Sequence, residues 1–226
     1  MSARYSAART SLRTAAIMLG FTVAFTAMMA SSYEATRPAI EASLQEAQMR
    51  LIDEVLPPGS YDNALLEDVI HLGPTPELGL DEGGRVWRAR KAGAPSALVV
   101  EAAAGDGYAG RIAVVVAVGA DGVVSGVRVT SHRETPGLGD YIDPKKDRNK
   151  TAPWIAQFSG VSWDKVEAAR WTVKKDGGAF DYRTGATISA RAVSRVVGRS
   201  VAFAMQHRDT LFSASAGSTL AQGASR

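Results

Sequence analysis

A short segment near the C-terminal end of the chain carries two threonine hydroxyls among very small residues. It reads Asp-Tyr-Arg-Thr-Gly-Ala-Thr over residues 181–187 and lies directly before a stretch with helical periodicity. The last hydroxyl, of Thr187, can cap that helix, which requires no further function, or it can carry a covalently attached group. From average residue usage, the pattern Asp-x-x-(Ser/Thr)-Gly-Ala-(Ser/Thr) arises by chance in about one chain per thousand of this length. This low chance frequency makes the segment a candidate site.

A second unusual segment, Ser-His-Arg-Glu-Thr-Pro-Gly-Leu-Gly-Asp, spans residues 131–140. Pro136 stiffens its turn, and the two glycines, Gly137 and Gly139, allow the backbone to approach a bound group closely. An ordinary surface loop is the alternative interpretation. Because six residues in a row are specified, we favour a binding loop made of Glu134, Thr135, Pro136, Gly137, Leu138 and Gly139.

Composition excludes several classes of site. The chain has no cysteine, which rules out disulfides, thiolate metal sites, iron–sulfur clusters and covalent c-type haem. The three histidines, His71, His132 and His207, are too scattered to predict a metal cluster. We also find no Ser-His-Asp set, carboxylate pair or nucleotide-binding glycine loop. The sequence therefore predicts neither a metal site nor catalytic residues.

The basic pI of about 9.3 comes from the N-terminal tail. Arg4, Arg9 and Arg13 all precede the first acid, Glu34, and removing these three from the 26 basic residues leaves 23, equal to the 23 acidic residues. The rest of the chain is balanced, so we predict no nucleic-acid partner.

Residues 14–32 carry no charge and are long enough to cross the hydrocarbon core of a membrane as a helix. Arginines precede them and an acid follows, so the N-terminus is expected in the cytoplasm and the remainder outside, in the periplasm of a bacterium. A cleaved signal peptide is the alternative, but its apolar region would be shorter and the cleavage-like ending at residues 30–32 is weak. We therefore expect a retained anchor.

Periodicity predicts the elements that position the candidate residues. Helical spacing from residue 34 ends at the Pro-Pro-Gly of residues 57–59, and alternation predicts strands at 86–90, 97–102, 111–118 and 123–130. Further along, the pattern favours a short helix at 164–169, a strand at 170–174 and a long helix at 188–212. We predict an α+β fold with an antiparallel sheet and packed helices, arranged as a cytoplasmic tail (1–13), an anchor (14–33), a stalk or first helix (34–60), an outer domain (61–212) and a flexible tail (213–226).

These features together resemble the FMN-binding domain family, and specifically the G subunits of Rnf-type ion-translocating electron-transport complexes. The resemblance rests on the N-terminal anchor, the Gly-Tyr-Ala-Gly of residues 107–110, the loop at 132–139 and the motif at 181–187. The C subunits of sodium-pumping NADH:quinone reductases are the close relatives of that family. Nearly the whole chain is covered, in the order in which the family carries these features.

The resemblance implies that a flavin transferase joins FMN, through its phosphate, to Thr187, with Asp181, Thr184, Gly185 and Ala186 as the other motif positions. It places the loop from Glu134 to Gly139 over or beside the flavin ring, where Glu134 either tunes the ring electrostatically or caps a loop amide. Three further groups of residues are candidates, and for each an ordinary structural role is the alternative. Arg183 and Arg191 could neutralise the phosphate, and His132 could be a proton partner of the flavin. The tryptophans could stack on the flavin or dock a partner; they are Trp87, Trp154, Trp163 and Trp171.

The implied function is that of an electron-relay subunit of an inner-membrane oxidoreductase complex, in contact with other membrane subunits and without catalytic activity of its own. Two alternatives stay open. One is the equivalent C subunit of the sodium-pumping quinone reductase, and the other is a non-redox assembly or scaffold subunit that lacks flavin.

Overall fold

The structure is a computed structural model of the 226-residue chain, and it describes residues 7–220. Arg4 of the predicted cytoplasmic tail and residues 221–226 of the predicted flexible tail lie outside the described residues. The chain divides between Gln48 and Met49 into two compact units.

The described residues of the first unit form one long helix. Helix α1 runs over Ala7–Asp53, of which all but the last few residues belong to this unit. It is long and apolar enough to cross a membrane, and its side chains from residue 8 to residue 47 are exposed, including Phe21 and Met29. The exposed apolar side chains of such a helix form the kind of surface that a bilayer covers. The helix continues through Pro38 without interruption.

The second unit is built on a six-stranded sheet with the order β5-β4-β3-β2-β1-β6. The strands are β1 (Val69–Leu72), β2 (Gly84–Lys91), β3 (Ala94–Gly107), β4 (Gly110–Gly119), β5 (Val124–Ser131) and β6 (Thr219–Leu220). The first five pair antiparallel, as predicted, whereas β6 pairs parallel with β1. The four strands predicted from alternation correspond to β2 to β5.

Both faces of the sheet are buried, because alternate residues of each central strand point to opposite sides. In β3, Leu98 and Val100 belong to one hydrophobic core and Val99 to a second core. Helix α2, Thr187–Ser213, covers the first face with the apolar residues predicted for it, Val193, Val196, Val197, Val201 and Ala204. The last turn of α1, with Ile52, and the residues after it cover the second face.

The segment between β5 and α2 departs from the predictions. The predicted helix at 164–169 and strand at 170–174 are wrong, because the chain forms short 3₁₀ turns at Ala168–Arg170 and Lys174–Asp176 instead. Trp171 and Val173 are buried there among Phe158 and Phe180. Their apolar character reflects packing into the first core and not membership of the sheet.

Two short strands have no counterpart in the predictions. Both β1 and β6 are too short for an alternation pattern to be seen, and β6 lies within the segment predicted to be a flexible tail. The backbone of Gly73 donates to the carbonyl of Leu220 at 3.0 Å. This contact joins the end of the described chain to the edge of the sheet.

Candidate functional site

The motif at residues 181–187 forms the turn that leads into α2. Thr187 is the first residue of the helix, Ala186 occupies the N-cap position, and no side chain caps the helix. Thr187 is therefore not the N-cap, and the capping interpretation does not explain its presence. Gly185 has φ of +89°, a conformation that favours glycine. The first turn of α2 also carries no acidic residue, so no carboxylate in it offsets the positive end of the helix dipole.

The loop after β5 is a compact turn. The carbonyl of Thr135 accepts hydrogen bonds from the amides of Leu138 and Gly139, at 3.1 and 3.0 Å. Gly137 has φ of +74° and open space around its Cα, whereas a Cβ on Gly139 would lie 2.8 Å from Ser189 Oγ and 3.0 Å from Glu134 Oε2. Glycine is therefore favoured at the two positions for different reasons: Gly137 adopts a positive φ, and Gly139 allows close packing against α2.

Glu134 connects three segments of the chain. Its carboxylate is buried, and it accepts a hydrogen bond from the backbone amide of Ala109 at 3.0 Å and another from the hydroxyl of Ser189. The predicted capping of a loop amide is therefore present. The amide of Glu134 donates in turn to Nδ1 of His132 at 3.1 Å, so His132 makes the hydrogen bond that its ordinary structural role predicts.

A cavity of about 120 Å³ lies where the turn between β3 and β4, the loop after β5 and the start of α2 meet. Outside α1, the large apolar side chains that are exposed among the described residues are those of Tyr108, Leu138 and Ile188. All three line this cavity, together with Glu134, Thr135, Gly139, Gly185, Ala186 and Ser189. An apolar rim around a partly polar cavity suits a planar aromatic ligand, which would remove this surface from water.

Five of the residues predicted for the loop and the motif do not line the cavity. Pro136 and Gly137 lie outside it, and Asp181 and Thr184 are exposed to solvent. Thr187 is half-buried and stands between two lining residues, Ala186 and Ile188. The structure therefore places Thr187 between two residues of the cavity lining, whereas Asp181 and Thr184 are exposed and take no part in the lining.

The backbone of Asp181 is held on both sides although its side chain is exposed. Its amide donates to Oε1 of Gln157 at 2.7 Å, and its carbonyl accepts from Nε1 of Trp154, also at 2.7 Å. Its carboxylate pairs with Lys174 at 2.6 Å on the surface.

Beneath the motif lies a polar cluster that the sequence did not indicate. Asp147 is fully buried, and it accepts from the amides of Trp154 at 2.7 Å and Asn149 at 2.9 Å and pairs with the guanidinium of Arg183. Burial raises the pKa of Asp147, but these hydrogen bonds and the positive charge of Arg183 outweigh it and hold the pKa below its ordinary value. Asp147 stands in a polar loop, where no periodicity could mark it as buried.

Tyr141 completes this cluster and contacts the motif directly. Its hydroxyl donates to the carbonyl of Ala186 at 3.3 Å and accepts from the amide of Arg183 at 3.2 Å. The guanidinium of Arg183 lies 4.5 Å from the centre of the Tyr141 ring. Burial raises the pKa of this tyrosine. The cluster thus holds the turn before Thr187 in place.

The other predicted candidates have structural partners. Arg183 forms an ion pair with Asp147, and Arg191 forms one with Asp176. Both guanidinium groups are therefore already paired with a carboxylate of this chain. None of the four tryptophans lines the cavity. Trp87, Trp154 and Trp171 are buried in the two cores, and Trp163 packs against the first of them, as the packing alternative predicted.

Two family models match the chain. The FMN-binding domain model matches residues 107–202, and the model of the RnfG N-terminal region matches residues 1–55. The first of these ranges contains every residue that lines the cavity, as well as Thr187. The second contains all of α1.

Similar proteins occur in several bacteria, where each is named as the G subunit of an ion-translocating oxidoreductase complex. The one from Pseudoalteromonas atlantica is 40% identical over 195 residues, which are 86% of this chain and 88% of that protein. The one from Pseudomonas aeruginosa is 40% identical over 207 residues, 91% of this chain and 94% of that protein. The one from Salmonella typhimurium is 41% identical over 184 residues, with coverages of 81% and 86%.

Proposed function

Because this chain belongs to the family of G subunits of ion-translocating oxidoreductase complexes, we propose that it carries one FMN, joined through its phosphate to Thr187, and relays electrons within such a complex. The chain is a membrane subunit of the Rnf type with an FMN-binding domain. The observation that carries the proposal is the cavity in which the two sequence segments meet beside Thr187. The names of the relatives favour this function over the C subunit of a sodium-pumping quinone reductase.

The start of α2 supports attachment at Thr187. FMN joined as a phosphodiester keeps one negative charge, and the N-terminus of a helix favours an anion by roughly 0.3–1 kcal/mol. The N-cap residue of α2 makes no side-chain hydrogen bond and no acid stands in the first turn, so the first amides of the helix are available to a phosphate, with the carboxylate of Glu134 held nearby by Ser189. Gly185 and Ala186 leave the Thr187 hydroxyl accessible to a flavin transferase during maturation.

The cavity supports a position for the flavin ring. Tyr108, Leu138 and Ile188 offer an exposed apolar rim, and a ring that covers them would bury this surface. When bound, FMN supplies electron-transfer chemistry, and the protein positions and tunes it. The tether keeps its local concentration independent of the free cofactor supply. The chain then needs no catalytic residues of its own, and we propose that it has no independent enzymatic activity.

We further propose that Glu134 tunes the ring. Its carboxylate lines the cavity, and among the described residues it pairs with no cationic side chain. A negative charge at this place disfavours additional electron density on a neighbouring ring and so lowers its reduction potential. The hydrogen bonds from Ala109 and Ser189 hold the carboxylate in position.

The location proposed for this subunit is the inner membrane of a bacterium. Helix α1 supplies the anchor, and Arg9 and Arg13 precede its apolar part, which favours an N-terminus in the cytoplasm by the positive-inside rule. The FMN-binding domain then lies in the periplasm, next to the other membrane subunits of the complex.

Mass spectrometry of the intact chain tests the proposed function. The chain is purified from a host that contains the flavin transferase and compared with the chain from a host that lacks it. We expect one FMN per chain, retained after denaturation, in the first preparation only. A chain without flavin in both preparations would favour the scaffold alternative.

A further inference from the structure

A second cavity, of about 250 Å³, lies between α2 and the segment before residue 172. The indole rings of Trp163 and Trp171 form one side, and the other side consists of α2 residues Arg195, Gly198, Arg199 and Ala202. We name this cavity the indole groove. It shares no residue with the cavity beside Thr187, so the proposed flavin site does not account for it.

The floor of the indole groove is firmly packed. The rings of Trp163 and Trp171 stack with centroids 5.9 Å apart, and Nε1 of Trp171 donates to the carbonyl of Val166 at 3.1 Å. A Cβ on Gly198 would lie 2.5 Å from Cβ of Trp171. A glycine inside a helix costs about 1 kcal/mol relative to alanine, and here it allows the indole to lie directly on α2. The groove is therefore a formed surface.

The rim of the indole groove is positively charged. Arg191, Arg195 and Arg199 follow one another at intervals of four residues and so share a face of α2. Arg191 is held by Asp176. The two arginines of the groove have weaker partners, because Nη1 of Arg195 lies 3.9 Å from the carboxylate of Asp106 and Nη2 of Arg199 lies 3.5 Å from the carbonyl of Ala103. Each guanidinium keeps donors for an additional acceptor.

We propose that the indole groove binds an acidic segment of another subunit of the complex. An apolar side chain of that segment enters the groove and packs on the partly exposed indole of Trp163, and its carboxylates bind Arg195 and Arg199. Tryptophan and arginine are the residues enriched at the centres of protein interfaces, and a guanidinium binds a carboxylate through two parallel hydrogen bonds.

This inference goes beyond the proposed function and does not depend on attachment of FMN. It depends on membership of a multisubunit complex, which the relatives establish. If the chain does not take up FMN, the proposed flavin site is overturned, but the proposal for the indole groove is not affected.

Site-specific photo-crosslinking in the assembled complex tests the occupant. A photo-crosslinking amino acid replaces Ala202, which lines the groove, and in a control it replaces Ala156, which is exposed elsewhere on the domain. We expect the position-202 probe to form a crosslink to an acidic segment of another subunit, and the position-156 probe not to reach that segment. Crosslinks from position 202 only to lipid or to a small molecule, or no crosslink at all, would overturn the proposal.

Charge reversal tests the role of the two arginines. In the double variant Arg195→Glu/Arg199→Glu, we expect the amount of the crosslinked subunit that copurifies per chain to fall about tenfold or more, as for the loss of an interface hot spot. In the wild type the same contact should weaken as salt concentration rises. Arg148→Glu reverses an exposed arginine outside the groove and should leave copurification unchanged.

Two measurements separate a binding defect from a folding defect. For each variant, the midpoint of thermal unfolding and the FMN content are measured together with the amount of copurified partner subunit. If the double charge reversal unfolds the domain, Arg195→Gln/Arg199→Gln removes the charges without placing acids near Asp106, and the same loss is expected. A folded variant of either kind that retains the partner subunit at the wild-type level overturns the proposal.

Discussion

The carboxylate of Glu134 accepts a hydrogen bond from the hydroxyl of Ser189, which joins the loop after β5 to the first turn of α2. Both side chains are almost fully buried, at 3% and 1% exposure. The residues stand 55 positions apart in the chain; Glu134 belongs to one of the two segments that the sequence marks as unusual, and Ser189 follows two residues after the end of the other. This hydrogen bond holds the two halves of the cavity against each other.

The first prediction concerns the charge of Glu134. Glu134→Gln keeps the shape of the side chain and removes the negative charge beside the proposed ring, so the midpoint potential of the flavin should rise. Spectroelectrochemical titration measures this potential. Ser189→Ala keeps the carboxylate and removes only one hydrogen bond, so it should change the potential less. Equal potentials in the wild type and Glu134→Gln would show that Glu134 only caps the amide of Ala109.

The second prediction concerns the attachment residue. Thr187→Val keeps the shape of the side chain and removes its oxygen, so covalent FMN should disappear from the intact mass. Thr187 makes no capping hydrogen bond, so the change should cost less than the roughly 1 kcal/mol of a lost cap. Thr184→Ser is the matched control and should retain FMN, because either hydroxyl fits that position of the motif. A Thr187→Val chain that still carries FMN contradicts the assignment.

The third prediction separates the two glycines of the loop. In Gly139→Ala the new methyl group would lie within 3.0 Å of Glu134 and Ser189, so we expect a shift in the visible spectrum of the bound flavin. Gly137 has open space but φ of +74°. Gly137→Asn should leave the spectrum unchanged, since asparagine tolerates this conformation, whereas Gly137→Val should lower thermal stability by about 1–2 kcal/mol. A spectrum that does not change in Gly139→Ala argues against a ring next to this loop.

The fourth prediction concerns Asp147. Its pKa is lower in the folded chain than in the unfolded chain, so its stabilising contribution is present above the ordinary carboxyl pKa and is lost as pH falls through the folded-state value. Asp147→Asn should lower the free energy of unfolding at pH 7 by about 1–3 kcal/mol, because it weakens buried hydrogen bonds and leaves Arg183 unpaired. Urea unfolding at pH 7 and at acidic pH measures both effects.

Asp176→Asn is the control for that prediction. It breaks the ion pair of Asp176 with Arg191 at the surface, where solvent screens the charges, so the loss of stability should be smaller. The wild type and Asp147→Asn should approach each other in stability as pH falls. A constant difference between them at every pH would show that the charge of Asp147 contributes nothing.

The fifth prediction concerns orientation in the membrane. A reporter enzyme that is active only in the periplasm, fused after Arg226, should be active, because Arg9 and Arg13 favour retention of the N-terminus in the cytoplasm. A fused reporter that requires the cytoplasm should be inactive. The opposite pair of results would reverse the proposed topology.

Local patterns in the sequence were sufficient to predict the features that depend on neighbouring residues. The apolar stretch in α1, the alternation of β2 to β5 and the start of α2 within one residue of the predicted position all follow from such patterns. The motif at 181–187 and the loop at 134–139 were recognisable for the same reason, since each is a continuous string. Family membership rested on these strings and is confirmed by the relatives.

Which side chains meet depends on the packing of distant segments. The pairing of the strands places the amide of Ala109 next to the carboxylate of Glu134, and the packing of α2 on the sheet places the hydroxyl of Ser189 next to the same carboxylate. Asp147 and Tyr141 lie under the motif although nothing in their own segment indicates burial. Trp171 and Val173 were likewise misjudged from local pattern: their apolar side chains predicted a strand, but they pack into the first core. The physical reason is that burial and hydrogen bonding between distant segments depend on how the layers pack, and no local pattern records that packing.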